Sequence, residues 1–218
     1  MAAPCWNGDP LNVASAKTSP AKTKLVAGRL ALDFANLIPG AHDLSWREFV
    51  IFLVDSRVVS EERGARLETL EQSEPAAVDA VLLKILRLRE CARAIFAAME
   101  VRREFPKAWV SPINDILRIT EGHDELLGQQ GKWRLEFIAR ESGLEWLLAA
   151  IARSAAELVV EGPAAPVKRC ANPDCRLFFY DHSRTRQRRW CSMAVCGNRH
   201  KVAAFLRRKH GKKLAARA

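Results

Sequence analysis

Residues 169–175 read Arg169-Cys170-Ala171-Asn172-Pro173-Asp174-Cys175, and residues 188–199 read Arg188-Arg189-Trp190-Cys191-Ser192-Met193-Ala194-Val195-Cys196-Gly197-Asn198-Arg199. Each stretch holds a CxxxxC pair, and fifteen residues separate the two pairs. Asn172, Pro173 and Asp174 are turn formers, so the chain between the first two cysteines can fold back and aim both sulfurs at one point. Two such pairs complete the tetrahedral four-thiolate shell that zinc takes in closed structural sites. The spacing predicts one structural Zn2+ per chain, held by Cys170, Cys175, Cys191 and Cys196. Four thiolates leave no open position for a water nucleophile, so the metal is expected to be scaffold and not catalyst. His182 and His200 are alternative ligands by position, but with four cysteines present they are expected beside the cluster or on the surface.

The residues around the cysteines extend this into a small fold. Leu177–Tyr180 reads as a strand, Asp181–Ser183 as its turn, and Thr185–Trp190 as a returning strand that delivers Cys191. After Ser192 the pattern turns helical, with Val202, Phe205 and Leu206 on one side and Arg199, Lys201, Arg207 and Arg208 elsewhere around the cylinder. Knuckle, β-hairpin, then helix is the layout of a treble-clef finger. A segment this short has too little apolar surface to offset its chain entropy, whereas structural zinc contributes on the order of 10 kcal/mol. Folding and zinc binding are therefore expected to be one event.

Charge is segregated along the chain. Residues 163–218 contain 15 basic and 2 acidic residues, +13, which leaves 20 basic and 23 acidic, −3, for residues 1–162. An anionic partner met by one region only is implied, nucleic acid first and an acidic membrane surface second. Arg184, Arg186 and Arg188 alternate, so a strand would line them on one face, with Arg189 projecting from the other. Guanidinium forks suit phosphates and guanine edges alike. Arg199, Lys201, Arg207 and Arg208 would flank the same surface. The alternative use for any single arginine is to hydrogen-bond the zinc thiolates or cap the hairpin. Phe178, Tyr180 and Trp190 could stack on bases, but cover for the metal is the expected use.

The chain ahead of this module reads as a mainly helical domain with a small sheet. Met1–Lys24 shows no period and is expected to be a loose arm, so the division is 1–24, 25–162 and 163–218. Leu30, Leu32 and Phe34 alternate with Ala31, Asp33 and Ala35, which predicts a short strand stopped at Pro39 and Gly40. Ser45 and Glu48 have capping-box spacing, and Trp46, Phe49, Val50 and Leu53 then fall on one helical face. A second helix starts at Ser60. The longest helical signal follows Pro75, where Val78, Val81, Leu82, Ile85, Leu88, Ala92, Ile95, Phe96 and Met99 recur at spacings of three and four, and Pro106 should end it. Pro112 opens a short helix, and Gly122 and Gly128 mark a loop. Trp133, Leu135 and Phe137 alternate with Arg134 and Glu136, a strand expected to pair with the one near Leu30. A last helix spans about 143–161 and stops at Gly162-Pro163.

No catalytic constellation emerges from these segments. Asp33, His42, Asp43, His123 and Asp124 lie apart with no motif spacing and read as surface, turn or cap residues. There is no GxSxG elbow, HExxH helix or Walker-type loop, which argues against an enzyme. Trp46, Trp133 and Trp146 are candidate pocket residues, although apolar side chains at a regular period are more often core. Cys91, in an apolar helical stretch, reads as core. Met1–Lys24 lacks an apolar leader, and no window approaches the roughly 20 apolar residues that cross a bilayer. The expected location is the cytoplasm, where paired cysteines bind metal more often than they form disulfides. No heptad seam or other dimer signature is present.

The chain resembles the CGNR zinc-finger proteins of bacteria in the two cysteine stretches quoted above. The segment Leu30-Ala31-Leu32-Asp33-Phe34 and the run Ala152-Arg153-Ser154-Ala155-Ala156-Glu157-Leu158 are similar to the ABATE domain that accompanies this finger. Where such fingers carry Asp-x-Ser-Arg-Asn-Arg, this chain has Asp181-His182-Ser183-Arg184-Thr185-Arg186, which spares the arginines. The resemblance implies a stress-induced transcription regulator with a DNA-binding finger and an N-terminal domain that senses a ligand. Two other functions fit the same residues: an RNA- or ribosome-binding zinc protein, and an N-terminal domain that is an enzyme or small-molecule binder.

Overall fold

The computed structural model describes residue 23 and residues 25–37, 44–119, 121–129, 132–140 and 143–215. Apart from Thr23, the expected N-terminal arm lies outside the described residues, as do Pro39, Gly40, His42 and Asp43. The chain is mainly α, with a small antiparallel sheet and a cysteine-rich C-terminal finger.

Helices with a polar face and a cap form where their sequences place them. Helix α2 (Trp46–Asp55) follows an intact capping box: the Ser45 side chain accepts from the Glu48 N–H, and the Glu48 carboxylate accepts from the Ser45 N–H. Its Trp46, Phe49, Phe52 and Leu53 are buried, and the Trp46 indole N–H donates to Leu67 O at 2.8 Å. That carbonyl lies in α3 (Glu61–Ser73), which Ser60 caps. Pro75 stands in the first turn of α4 (Pro75–Glu100), whose 26 residues span about 39 Å at 1.5 Å per residue. Val78, Val81, Ile85, Leu88, Ala92, Ile95, Phe96 and Met99 form its buried stripe. The helix ends at Glu100, before the expected stop at Pro106. Helix α5 (Ser111–Ile119) carries Pro112 in its first turn.

Leu30–Phe34 forms not the expected strand but most of helix α1 (Leu30–Ala35). Ala31, Leu32, Asp33, Phe34 and Ala35 are all buried, so the alternation of large and small residues does not mark an inside and an outside. The element lies among α4, α6 (Ala149–Glu161) and the finger, and Ala31 N–H donates to Ser154 Oγ of α6 at 3.2 Å. The expected pairing of residues 133–137 with Leu30 is overturned as well. Strand β2 (Lys132–Ala139) pairs with β1 (Gly122–Gln129), in a register from Gly122↔Ala139 to Gln129↔Lys132. Gly122 and Gly128 are thus strand residues, not a loop. The expected helix over 143–161 opens with a tighter 3₁₀ turn at Glu145–Leu148 before α6 begins. Among the described residues, no helix is long and apolar enough to cross a membrane.

Strand β4 (Phe178–Tyr180) joins the two cores. Phe178 and Phe179 are both buried, and successive strand residues point to opposite faces. Phe178 packs in the helical core, edge to face with Phe96 at 6.2 Å between ring centroids. Phe179 packs with Cys170, Cys191 and Cys196. The strand is held from the helical side by Asn36, whose Nδ2 donates to Phe178 O and whose Oδ1 accepts from Phe178 N–H, each at 2.8 Å. Tyr180 N–H donates to Ala27 O at 2.7 Å. Gly28, at φ +78°, lets the chain pass under His182, because a Cβ there would lie 2.8 Å from His182 Nε2.

Candidate metal centre and basic finger

Strand β3 (Val167–Arg169) pairs antiparallel with β4, in register Val167↔Tyr180 and Arg169↔Phe178, and the first cysteine turn bridges them. Cys170 N–H donates to Leu177 O at 2.8 Å, and the N–H groups of Cys175 and Arg176 both donate to Asn172 O. The Asn172 side chain also accepts from Asp174 N–H at 3.2 Å, closing an Asx turn. Arg176 takes a positive φ of 52° where the chain turns out of the knuckle.

The second pair is set by a wide helical turn. Residues Met193–Gly197 form a π-type turn in which Cys196 and Gly197 N–H groups both donate to Ser192 O. A Cβ at Gly197 would meet Met193 Sδ at 2.8 Å, so a larger residue there would displace the exposed Met193 side chain. Helix α7 (Asn198–Ala215) continues from this turn.

These elements bring the four predicted sulfurs together. The Sγ atoms of Cys170, Cys175, Cys191 and Cys196 all lie within 4.8 Å of one another. Cys175 and Cys191 are 3.5 Å apart and Cys191 and Cys196 3.8 Å. A tetrahedron with Zn–S bonds of 2.3 Å has edges of about 3.8 Å, close to both of these separations, so the set is placed to hold one zinc ion. Burial pushes the Cys191 thiol up steeply and its thiol neighbours add to the shift. Burial also raises Cys175. Four sulfurs this close, three of them buried, need a cation to ionise together, and a zinc ion supplies it. Burial opposes ionisation of Cys196 too, but hydrogen bonds, first that from Asn172 Nδ2 at 3.7 Å, bring its pKa below the ordinary thiol value.

Neither nearby histidine joins the cluster. His182 packs at a tilt against Tyr180 with ring centroids 4.5 Å apart, and His200 against Trp190 at 4.8 Å. Trp190, half-buried, covers the thiol core together with Leu177 and Val26.

The stretch expected as a returning strand, Thr185–Trp190, is irregular. The partner of β4 is β3 instead, and Arg186 stands at φ +49°, outside regular strand geometry. Asp181 organises this loop. It is 1% exposed, and its carboxylate accepts from Lys168 Nζ at 2.7 Å, from Ser183 N–H and O–H, and from Arg188 N–H at 3.0 Å. Burial would raise this carboxyl, but those donors outweigh it and hold it at about 2. The sequence pattern marks Asp181 only as a turn residue. Its Lys168 partner sits on β3, and nothing in the local pattern announces the pair.

The loop geometry sorts the arginines. Arg188 turns inward: its guanidinium donates to Trp190 O at 2.9 Å, to Cys191 O and to Val26 O, with its carbon 4.7 Å from the Phe179 ring centroid. Arg186 donates to Ala164 O at 2.9 Å. Arg189 lies over Trp190 at 5.5 Å. Arg184, Arg189, Arg199, Lys201, Arg207 and Arg208 are exposed, as is Arg176, which sequence reading did not single out. On α7, Val202, Phe205 and Leu206 are 57%, 58% and 47% exposed, so their shared side does not serve as a core face.

Family comparison agrees with this geometry. A family described as "Putative stress-induced transcription regulator", ABATE, matches residues 28–162, which is 135 of the 218 residues. The chain belongs to the ABATE family. The CGNR zinc finger matches residues 167–209, the segment that carries all four clustered cysteines. The ABATE region ends one residue beyond α6, and the finger begins with β3. No curated protein matches the chain significantly.

Proposed function

We propose that this ABATE-family chain is a DNA-binding regulator in which residues 163–218 form a zinc-folded finger and residues 25–162 form a domain that receives a signal. Cys170, Cys175, Cys191 and Cys196 hold one zinc ion. The ion supplies cross-linking of the knuckle to α7 and neutralises thiolate charge. The chain's own residues do the binding: Arg184, Arg189, Arg199, Lys201, Arg207 and Arg208 meet phosphates and base edges, with Arg186 at the margin. Arg188 acts within the protein, tying the finger loop to Val26. The observation that supports this reading is the coincidence of a +13 segment with a module whose cations face outward around a rigid thiol core. The outward cations come from one loop and one helix, which suits a duplex groove.

Competition between duplex DNA and structured RNA for the zinc-loaded protein at one salt concentration tests it. Preference for the duplex is expected. Preference for the RNA would move the finger to the ribosome or another RNA.

A further inference from the structure

A cleft of about 470 Å³ opens between α3 and the turn that precedes α6, on the helical domain and away from the cysteines. Leu67, Leu70, Leu144 and Trp146 supply its apolar lining, and Arg63, Arg66 and Glu62 its charged lining. Arg63 is tethered: its guanidinium carbon lies 4.1 Å from the Trp146 ring centroid. The Trp146 segment is pinned in turn by the ion pair of Lys84 with Glu145, and the α3 wall by the Trp46 bond to Leu67 O. Arg66 pairs with Glu62, but both side chains are more than three-quarters exposed, so that pair is weak and readily exchanged. An apolar lining beside two arginines three positions apart on α3, one of them paired only with an exposed Glu62, matches one chemical class of small molecule.

We infer that this cleft binds an aromatic carboxylate, its ring on the leucine and tryptophan lining and its carboxylate against Arg63 and Arg66. The volume is in the range of small-molecule sites, and a cation held in place over an indole is ordered before the ligand arrives. The turn bearing Trp146 runs directly into α6, whose last residue, Glu161, accepts from Tyr180 O–H at 2.7 Å and from Arg29 at 2.8 Å. A single helix thus connects the cleft to the strand that joins the finger to the helical core. This site rests on the reading of the helical domain as the receiver of a signal.

Isothermal titration of the full-length zinc-loaded protein with 3-phenylpropionate, and with its neutral counterpart 3-phenylpropan-1-ol, tests the site without DNA present. Saturable binding of the acid is expected, with affinity reduced about tenfold in Arg66→Gln and again in Arg63→Gln, as for loss of a charge-assisted hydrogen bond. Arg66 is exposed, so its variant is expected to fold. Equal affinity for acid and alcohol, affinity unchanged in both variants, or no binding of the acid would overturn the inference. DNA affinity with and without the acid is a separate measurement. A failure there removes the regulatory reading and leaves the calorimetric result standing.

Discussion

The side chain of Asn36 satisfies both backbone hydrogen-bonding groups of Phe178, a residue 142 positions away, with two bonds of 2.8 Å. An amide side chain here takes the place of a neighbouring strand. It ends helix α1 and at the same time fixes β4, so the family domain and the finger share a buried polar joint. Asn36→Leu leaves the Phe178 N–H and C=O unpaired in the interior, at a cost of about 2–4 kcal/mol. Chemical denaturation of the zinc-loaded variant should show that loss, and Asn36→Asp, which lacks the donor for Phe178 O, should also destabilise. Wild-type stability in both variants would contradict the joint.

Zinc removal should reach beyond the finger. Phe178 lies in the helical core and Phe179 in the thiol core, so β4 cannot be released from one without disturbing the other. Treatment with a chelator, or Cys191→Ser, should lower the melting temperature of the whole protein and not merely remove a separate finger transition. Metal analysis of the purified chain should give one zinc per molecule.

Two arginine variants should separate scaffold from contact. Arg188 holds Trp190 O, Cys191 O and Val26 O, so Arg188→Ala should destabilise by about 2–3 kcal/mol, as for loss of charged hydrogen bonds. Arg207→Ala with Arg208→Ala removes exposed charge and should leave stability within about 0.5 kcal/mol while weakening DNA binding. Thermal denaturation and duplex binding measured on the same samples would show the two effects apart.

Asp33 should leave a signature in the pH dependence of stability. Burial raises its carboxyl from the usual 3.8 to about 6, against the lowering effect of N–H groups from Ala27 and Val26. Because the folded value lies above the unfolded one, the folded protein takes up this proton first as pH falls. Stability from this group therefore rises as pH drops through 6 and the gain is complete below about 4, on the order of 3 kcal/mol. Asp33→Asn should lack that rise. The difference between the two denaturation series isolates it from the other carboxylates.

Helices α2, α3 and α4 were legible because each has a start signal, a serine cap in α2 and α3 and Pro75 in α4, and a polar face that fixes the period. Helix α1 was not, because a six-residue helix buried on every side has no polar face, and Leu-Ala-Leu-Asp-Phe fits a period of two as well as one of 3.6. The β1–β2 pair was hidden by Gly122 and Gly128, which read as chain breakers although a strand can carry them. In the finger, cysteine spacing alone anticipated the clustered sulfurs, since the geometry of one ion constrains all four. The arginines between them gave a misleading alternation. Which of them turns inward depends on Asp181, Lys168 and Val26, and those contacts are tertiary.

Affinity for a duplex DNA across a salt series, for the zinc-loaded protein and for the Arg207→Ala, Arg208→Ala variant, tests the proposed function most directly. Six phosphate contacts predict a slope of log affinity against log salt of about −5, and loss of two should reduce it to about −4. A slope near zero in the wild type, or an unchanged slope and affinity in the variant, would contradict a finger that binds DNA through these cations.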